Sequence, residues 1–246
     1  MASLRDAAIA LTGICTAVPK AGDGICVRCH GCPNPGFATC WSCATVERQV
    51  SRPCDLVVPV SLYEIPSQLH HVLRHYKSGN YPTMEADFTR RVAALLGYFV
   101  VTHGDHIRSA AGRDWDVITT VPSSTGRTGQ HPLVTAIGLL PTLRDQHEPL
   151  LRKGPVDVAH LNADDRGYVA KRPLTGRSVL LVDDTFTSSA RAQSAASALA
   201  IAGAHVLAIL PVGRVINPGY SDAAAEYWKR QRRAPFSWDT CCVEST

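Results

Sequence analysis

The chain has 246 residues, 45 % of them hydrophobic and 19 % charged, with a formal net charge of +4. These are the proportions of an ordinary soluble protein with a sizeable core, built as one large α/β domain or as a domain with a small appendage. No segment reaches the ~18 apolar residues of a membrane span, and the mild positive charge fits anionic ligands without establishing nucleic-acid binding.

Residues 1–20 read as an apolar helix ending near Pro19. A weak secretory signal is the alternative, but Asp6, Thr12, Gly13 and Thr16 dilute the stretch, so a cytoplasmic location is expected. Residues 22–45 form a block rich in Gly, Pro and Cys with little hydrophobic periodicity, which needs a metal or a neighbour to hold it together. The total of nine cysteines is odd, so a complete disulfide framework leaves one unpaired. Within the block, Cys26-Val27-Arg28-Cys29 and Cys40-Trp41-Ser42-Cys43 are two C-x₂-C pairs. Paired thiolates at this spacing make two corners of a tetrahedral Zn²⁺ site, and two pairs close it without an open position for water. Cys26, Cys29, Cys40 and Cys43 are therefore expected to hold a structural zinc in a reducing compartment, with His30 and Cys32 as spare ligands. A redox dithiol is the alternative.

Residues 56–60 make a short strand candidate. Ile65, Leu69, Val72, Leu73 and Tyr76 recur at helical spacing over residues 64–77, Pro82 breaks the chain, and a second helical pattern runs over 84–101. A strand over 116–121 ends at Pro122 and leads into a Ser-, Thr- and Gly-rich loop, 123–130, followed by a helix from Pro132 toward Leu140. Residues 141–177 are polar and weakly periodic, either a functional lid or a disordered surface loop. Then come a strand at 179–182, a helix over 190–202 stopped by Gly203, a strand over 205–210 and a helix over 222–233. Strands alternating with helices predict a mainly parallel sheet with helices on its faces.

The densest chemistry is the run Val182-Asp183-Asp184-Thr185-Phe186-Thr187-Ser188-Ser189-Ala190, where an apolar strand ends in two carboxylates and leads through small hydroxyl residues into a helix. Ligands of open α/β sheets bind at the carboxyl ends of the strands, and a helix N-terminus attracts phosphate. Vicinal ribose hydroxyls together with Mg²⁺ would compensate the paired Asp183 and Asp184. The N–H groups of Thr187, Ser188, Ser189 and Ala190, with the three hydroxyls, would hold a 5′-phosphate. An N-cap role explains one such Asp or Ser, but not the whole set.

At these residues the chain resembles the type I phosphoribosyltransferases, whose signature is an apolar strand, two acidic residues, two variable residues and Thr-Thr-Gly or a near relative. With the four-Cys element ahead of it, the chain is similar to the ComF family, known for competence and DNA uptake in bacteria. The resemblance extends to Tyr76-Lys77 and to the strand ending at Pro122. It implies a zinc-binding element over residues 1–50 and a phosphoribosyltransferase-like domain over 51–246. It also implies that Asp183 and Asp184 contact the ribose of phosphoribosyl pyrophosphate (PRPP), bound with Mg²⁺, and that residues 187–190 cradle its phosphate.

Lys77, Ser123, Ser124 and Arg127 are then candidates for phosphate and pyrophosphate contacts, against the plainer readings of a helix-end lysine and a solvated loop arginine. Where the family has glycine this chain has Ser189, and Arg191 stands where the family ends on a hydroxyl residue. Serine takes positive φ less readily than glycine, which weakens phosphate binding unless Arg191 compensates. Two functions follow: transfer of a phosphoribosyl group to an unidentified acceptor with release of pyrophosphate, or a non-catalytic PRPP-binding or DNA-uptake accessory role. Lys229, Arg230, Arg232 and Arg233 form a basic helix end, read as solvated or as a contact for single-stranded DNA or a partner of the competence machinery.

Overall fold

The computed structural model describes residues 3–77, 82–123 and 130–244. Ser3 and Asp6 cap each other's backbone N–H groups and start helix α1 (Leu4–Ile9). The single helix expected through residue 20 stops there. One 3₁₀ turn follows at Thr12–Ile14, and Thr16 then joins the sheet edge, accepting from the Leu62 N–H at 3.1 Å. Helix α2 (Trp41–Glu47) closes the cysteine block.

The apolar run 56–60 lies along the sheet, with Val58 N–H donating to the Ile209 carbonyl at 2.8 Å and Val60 N–H to that of Pro211 at 3.0 Å. Pro59 has no N–H to offer, and the regular strand β1 (Ser61–Tyr63) begins after it. Ser67 caps helix α3 (Gln68–His75), which starts later than the pattern over 64–77 because Pro66 lies ahead of it. Helix α4 (Pro82–Ala111) continues well past residue 101 and ends where Gly112 takes a φ of 66°.

Strand β2 (Val117–Thr120) is followed by helices α5 (Pro132–Gly138) and α6 (Pro141–Arg144). The stretch 141–177, expected to be irregular, also contains an antiparallel pair, β3 (Leu151–Lys153) and β4 (Tyr168–Ala170). Strand β5 (Ser178–Phe186), helix α7 (Ala190–Ile201) and strand β6 (His205–Val215) form a β-α-β unit, and helix α8 (Asp222–Arg233) follows.

Among the described residues the main sheet has four strands in the order β1-β6-β5-β2, all parallel. The run of apolar residues in β5 is explained by this position, because a central strand needs apolar side chains on both faces. Leu180 and Val182 pack into a core with Leu95, Leu96 and Ile137 of α4 and α5. Val179 and Leu181 pack oppositely with Ala195 and Leu199 of α7 and with the four cysteines. The fold is thus an α/β sheet flanked by helices, and the cysteine element forms part of one core layer.

Candidate functional site

The carboxyl end of β5 opens on a cleft of about 330 Å³ whose walls include Lys77, Ser123, His131, His160 and residues 183–192. Both carboxylates are buried, Asp183 at 9 % exposure and Asp184 at 4 %. Lys77 Nζ lies 2.6 Å from Asp184 Oδ2, and the Tyr76 hydroxyl donates to the same oxygen. Burial alone would raise the Asp184 pKa, but the Lys77 charge and these donors outweigh it and hold the group below its ordinary value. Asp183 accepts from the Asp184 N–H at 2.9 Å. Burial, and then the Asp184 charge, push its pKa up to about 7. The pair is therefore driven asymmetrically: the lysine favours ionised Asp184, while burial and the Asp184 charge favour the protonated form of Asp183.

After β5 the chain turns through residues 187–189 into α7. Ser189, the residue before the helix, has a φ of 69° and offers no side-chain cap to the first turn. Left-handed geometry here is what the glycine of the resembled motif supplies without strain, and serine adopts it at a cost of ~1 kcal/mol. Ser188 is buried, and its Oγ accepts from the Leu161 N–H at 3.2 Å.

That bond ties the segment around residues 158–166 to the loop. Asp164 N–H donates to Ser194 Oγ at 3.0 Å, and Ala163 N–H to Gln49 Oε1 at 2.8 Å. Asp165 accepts from Ser197 Oγ at 2.6 Å and from the Ser51 N–H. The polar stretch is thus docked on α7, with Ala159 and His160 at the rim of the cleft.

Of the expected site residues, the structure brings Asp183, Asp184, Lys77, Ser123, Thr187, Ser188, Ser189 and Ala190 to one cleft. Ser124 and Arg127 lie outside the described residues. Two cleft histidines escaped the sequence reading. His131 caps α5, its Nδ1 accepting from the Leu133 N–H at 3.1 Å, and the His-Pro start of a helix was a usable signal. His160 sits where no periodicity points to a role.

In the core layer shared with α7 the Sγ atoms of Cys26, Cys29, Cys40 and Cys43 all lie within 4.8 Å of one another, and all four residues are buried. Cys29 and Cys40 are 3.7 Å apart at sulfur, as at the edge of a tetrahedral thiolate site with ~2.3 Å metal bonds. The cluster can hold a structural zinc. Hydrogen bonds from Cys26, Cys40 and Cys43, aided by the Arg214 charge, place the Cys29 thiol well below its ordinary pKa.

Arg214, on β6, is itself buried. Its Nη2 lies 3.5 Å from Cys29 Sγ, and its Nη1 donates to the Thr187 carbonyl at 2.7 Å and to that of Val215. One guanidinium therefore touches both the thiol cluster and the loop that follows Asp183 and Asp184. The sequence reading missed it, although a lone arginine in an apolar strand was a signal that something anionic faces it.

The basic end of α8 is largely engaged by its own surroundings. Lys229 lies 3.4 Å from Glu226, Arg232 lies 3.2 Å from Glu64, and Arg230 stacks over Tyr227. Among the described residues no helix is long and apolar enough to cross a membrane. No protein-family model matches the chain, and no curated protein matches its sequence.

Proposed function

We propose that the cleft at the end of β5 binds PRPP and that the chain transfers its phosphoribosyl group to an acceptor with release of pyrophosphate. The observation that carries this reading is the buried Asp183–Asp184 pair, set directly against a left-handed turn and the start of α7. In a parallel sheet flanked by helices, ligands bind at the carboxyl ends of the strands, where this cleft lies.

In this reading Asp183 and Asp184 accept hydrogen bonds from the ribose hydroxyls, and the N–H groups and hydroxyls of residues 187–190 hold the 5′-phosphate. The bond from ribose C1 to the pyrophosphate oxygen breaks and its electron pair leaves with pyrophosphate. An acceptor lone pair forms the new bond at C1 and the acceptor gives up a proton. The donor set fits a magnesium-bound ligand, because Asp183 and Asp184 bring carboxylate oxygens, the donors that magnesium prefers, to the cleft. Magnesium, bound with PRPP, would neutralise the departing pyrophosphate. Lys77 holds Asp184 ionised and keeps it aimed into the cleft.

Binding without turnover is the second reading, favoured by Ser189, whose Cβ occupies a position where positive φ is required.

Titration calorimetry with PRPP and Mg²⁺ tests the site. Binding that is lost in an Asp183→Asn/Asp184→Asn double variant supports it, and unchanged binding overturns it. Because an ionised Asp183 accepts hydroxyl hydrogen bonds more strongly than a protonated one, affinity rises as pH increases through about 7. A pyrophosphate-release screen over nucleobases and amines then separates transfer from binding alone.

A further inference from the structure

A second group of ligating atoms lies far along α4 from the cleft. His103 and His106 are one turn apart on the same side of that helix, and Cys241 meets them from the segment that follows α8. The segment is seated by its aromatic residues. Trp238 packs edge-on against Tyr98 at 5.2 Å between ring centroids, and its Nε1 donates to Thr12 Oγ1 at 3.0 Å.

The three ligand atoms lie within 4.8 Å of one another. His103 Nδ1 and His106 Nδ1 are 3.3 Å apart, and Cys241 Sγ is 3.5 Å from the same His106 nitrogen. Around a tetrahedral zinc with ordinary bond lengths, two nitrogens sit roughly 3.3 Å apart and a nitrogen and a sulfur roughly 3.6 Å apart. Both printed separations are therefore edge lengths of a zinc tetrahedron.

Hydrogen bonding accounts for this arrangement poorly. A single nitrogen, His106 Nδ1, faces both His103 Nδ1 and Cys241 Sγ, yet an imidazole nitrogen offers either one proton or one lone pair. His103 itself is only 1 % exposed. A buried imidazole is most stable in its neutral form, which is the form that ligates metal.

We infer that His103, His106 and Cys241 form a second zinc site, which fastens the segment around residues 236–244 to α4. Three protein ligands leave one tetrahedral position for water or for Glu244, which acts electrostatically on both His103 and Cys241. His106 is half-buried, so the metal enters from the solvent side of the helix.

Elemental analysis of the zinc-loaded full chain tests this. The expected result is two zinc per chain, falling to one in His106→Asn and in Cys241→Ser. His106→Asn, at the half-buried position, keeps the test intact if the cysteine variant fails to fold. Cobalt substitution assigns the lost metal: the absorption component missing from the variants should carry charge transfer from one thiolate, and the component that remains should carry that from four. One zinc per chain in the wild type, retained in both variants, overturns the inference.

Discussion

Two regions along β5 treat negative charge in opposite ways. In the core packed on α7, four thiols are shut from solvent, with the Arg214 guanidinium against Cys29. At the strand's carboxyl end two carboxylates share one lysine, and Asp183 is left with a pKa of about 7 beside an open cleft. A site closed by four thiols and shut from solvent suits a permanent occupant. A site left out of balance and open suits a ligand that comes and goes.

The largest effect should come from breaking the closed side. Zinc bound by four thiolates is worth on the order of 10 kcal/mol to a fold that depends on it. Cys29→Ser should therefore release the metal and leave no cooperative thermal transition, as followed by circular dichroism and elemental analysis. A variant that keeps its transition without metal would show that the two sides differ less than their geometry indicates.

A smaller effect, of opposite sign, is expected on the open side. The folded-state pKa of Asp183 is raised from an ordinary 3.8 to about 7. The protonated fold is therefore favoured: the contribution to stability is full below the unfolded pKa and is lost as pH rises through about 7. Asp183→Asn should match the wild type below pH 4 and exceed it at pH 8 by on the order of 2–4 kcal/mol, measured by urea denaturation at both pH values. Equal stability at pH 8 would mean that the cleft is balanced after all. The same variant should bind PRPP more weakly, so the destabilising charge is also the one the ligand needs.

The smallest effect sharpens the comparison at the turn that leads from the cleft into α7. Ser189→Gly relieves a left-handed serine and should stabilise the fold by about 0.5–1 kcal/mol. Calorimetry should also show tighter binding of PRPP, because the backbone can approach phosphate more closely.

Much of this was legible in the chain itself, for physical reasons that differ by region. The run ending in Asp183 and Asp184 announced a central strand because both its faces had to be apolar. The cysteine block was legible because thiol spacing reports tetrahedral geometry directly. The length of α4 was not, since Thr102, His103 and Gly104 interrupt the apolar pattern. Its last turns are set instead by tertiary contacts, with Ile107 and Trp115 buried in the core and His103 tilted against Phe99. The run 56–60 had the composition of a strand, but Pro59 cost it regular pairing. Arg214 and the left-handed Ser189 acquire meaning only when distant parts of the chain meet, and a sequence pattern carries no such information.

The position of Arg214 bears on how far the molecule can be divided. Residues 1–50 look like a unit that could be cut away or exchanged, as many metal-bound modules can. The arginine that neutralises their thiols belongs instead to β6, and the same side chain props the loop beside the cleft. Removing the cysteine element would take from this buried guanidinium its Cys29 contact, a loss costing ~3–5 kcal/mol. A graft or truncation drawn at residue 50 would therefore divide a single electrostatic unit, and any dissection of this protein should carry the cysteine block and β6 together.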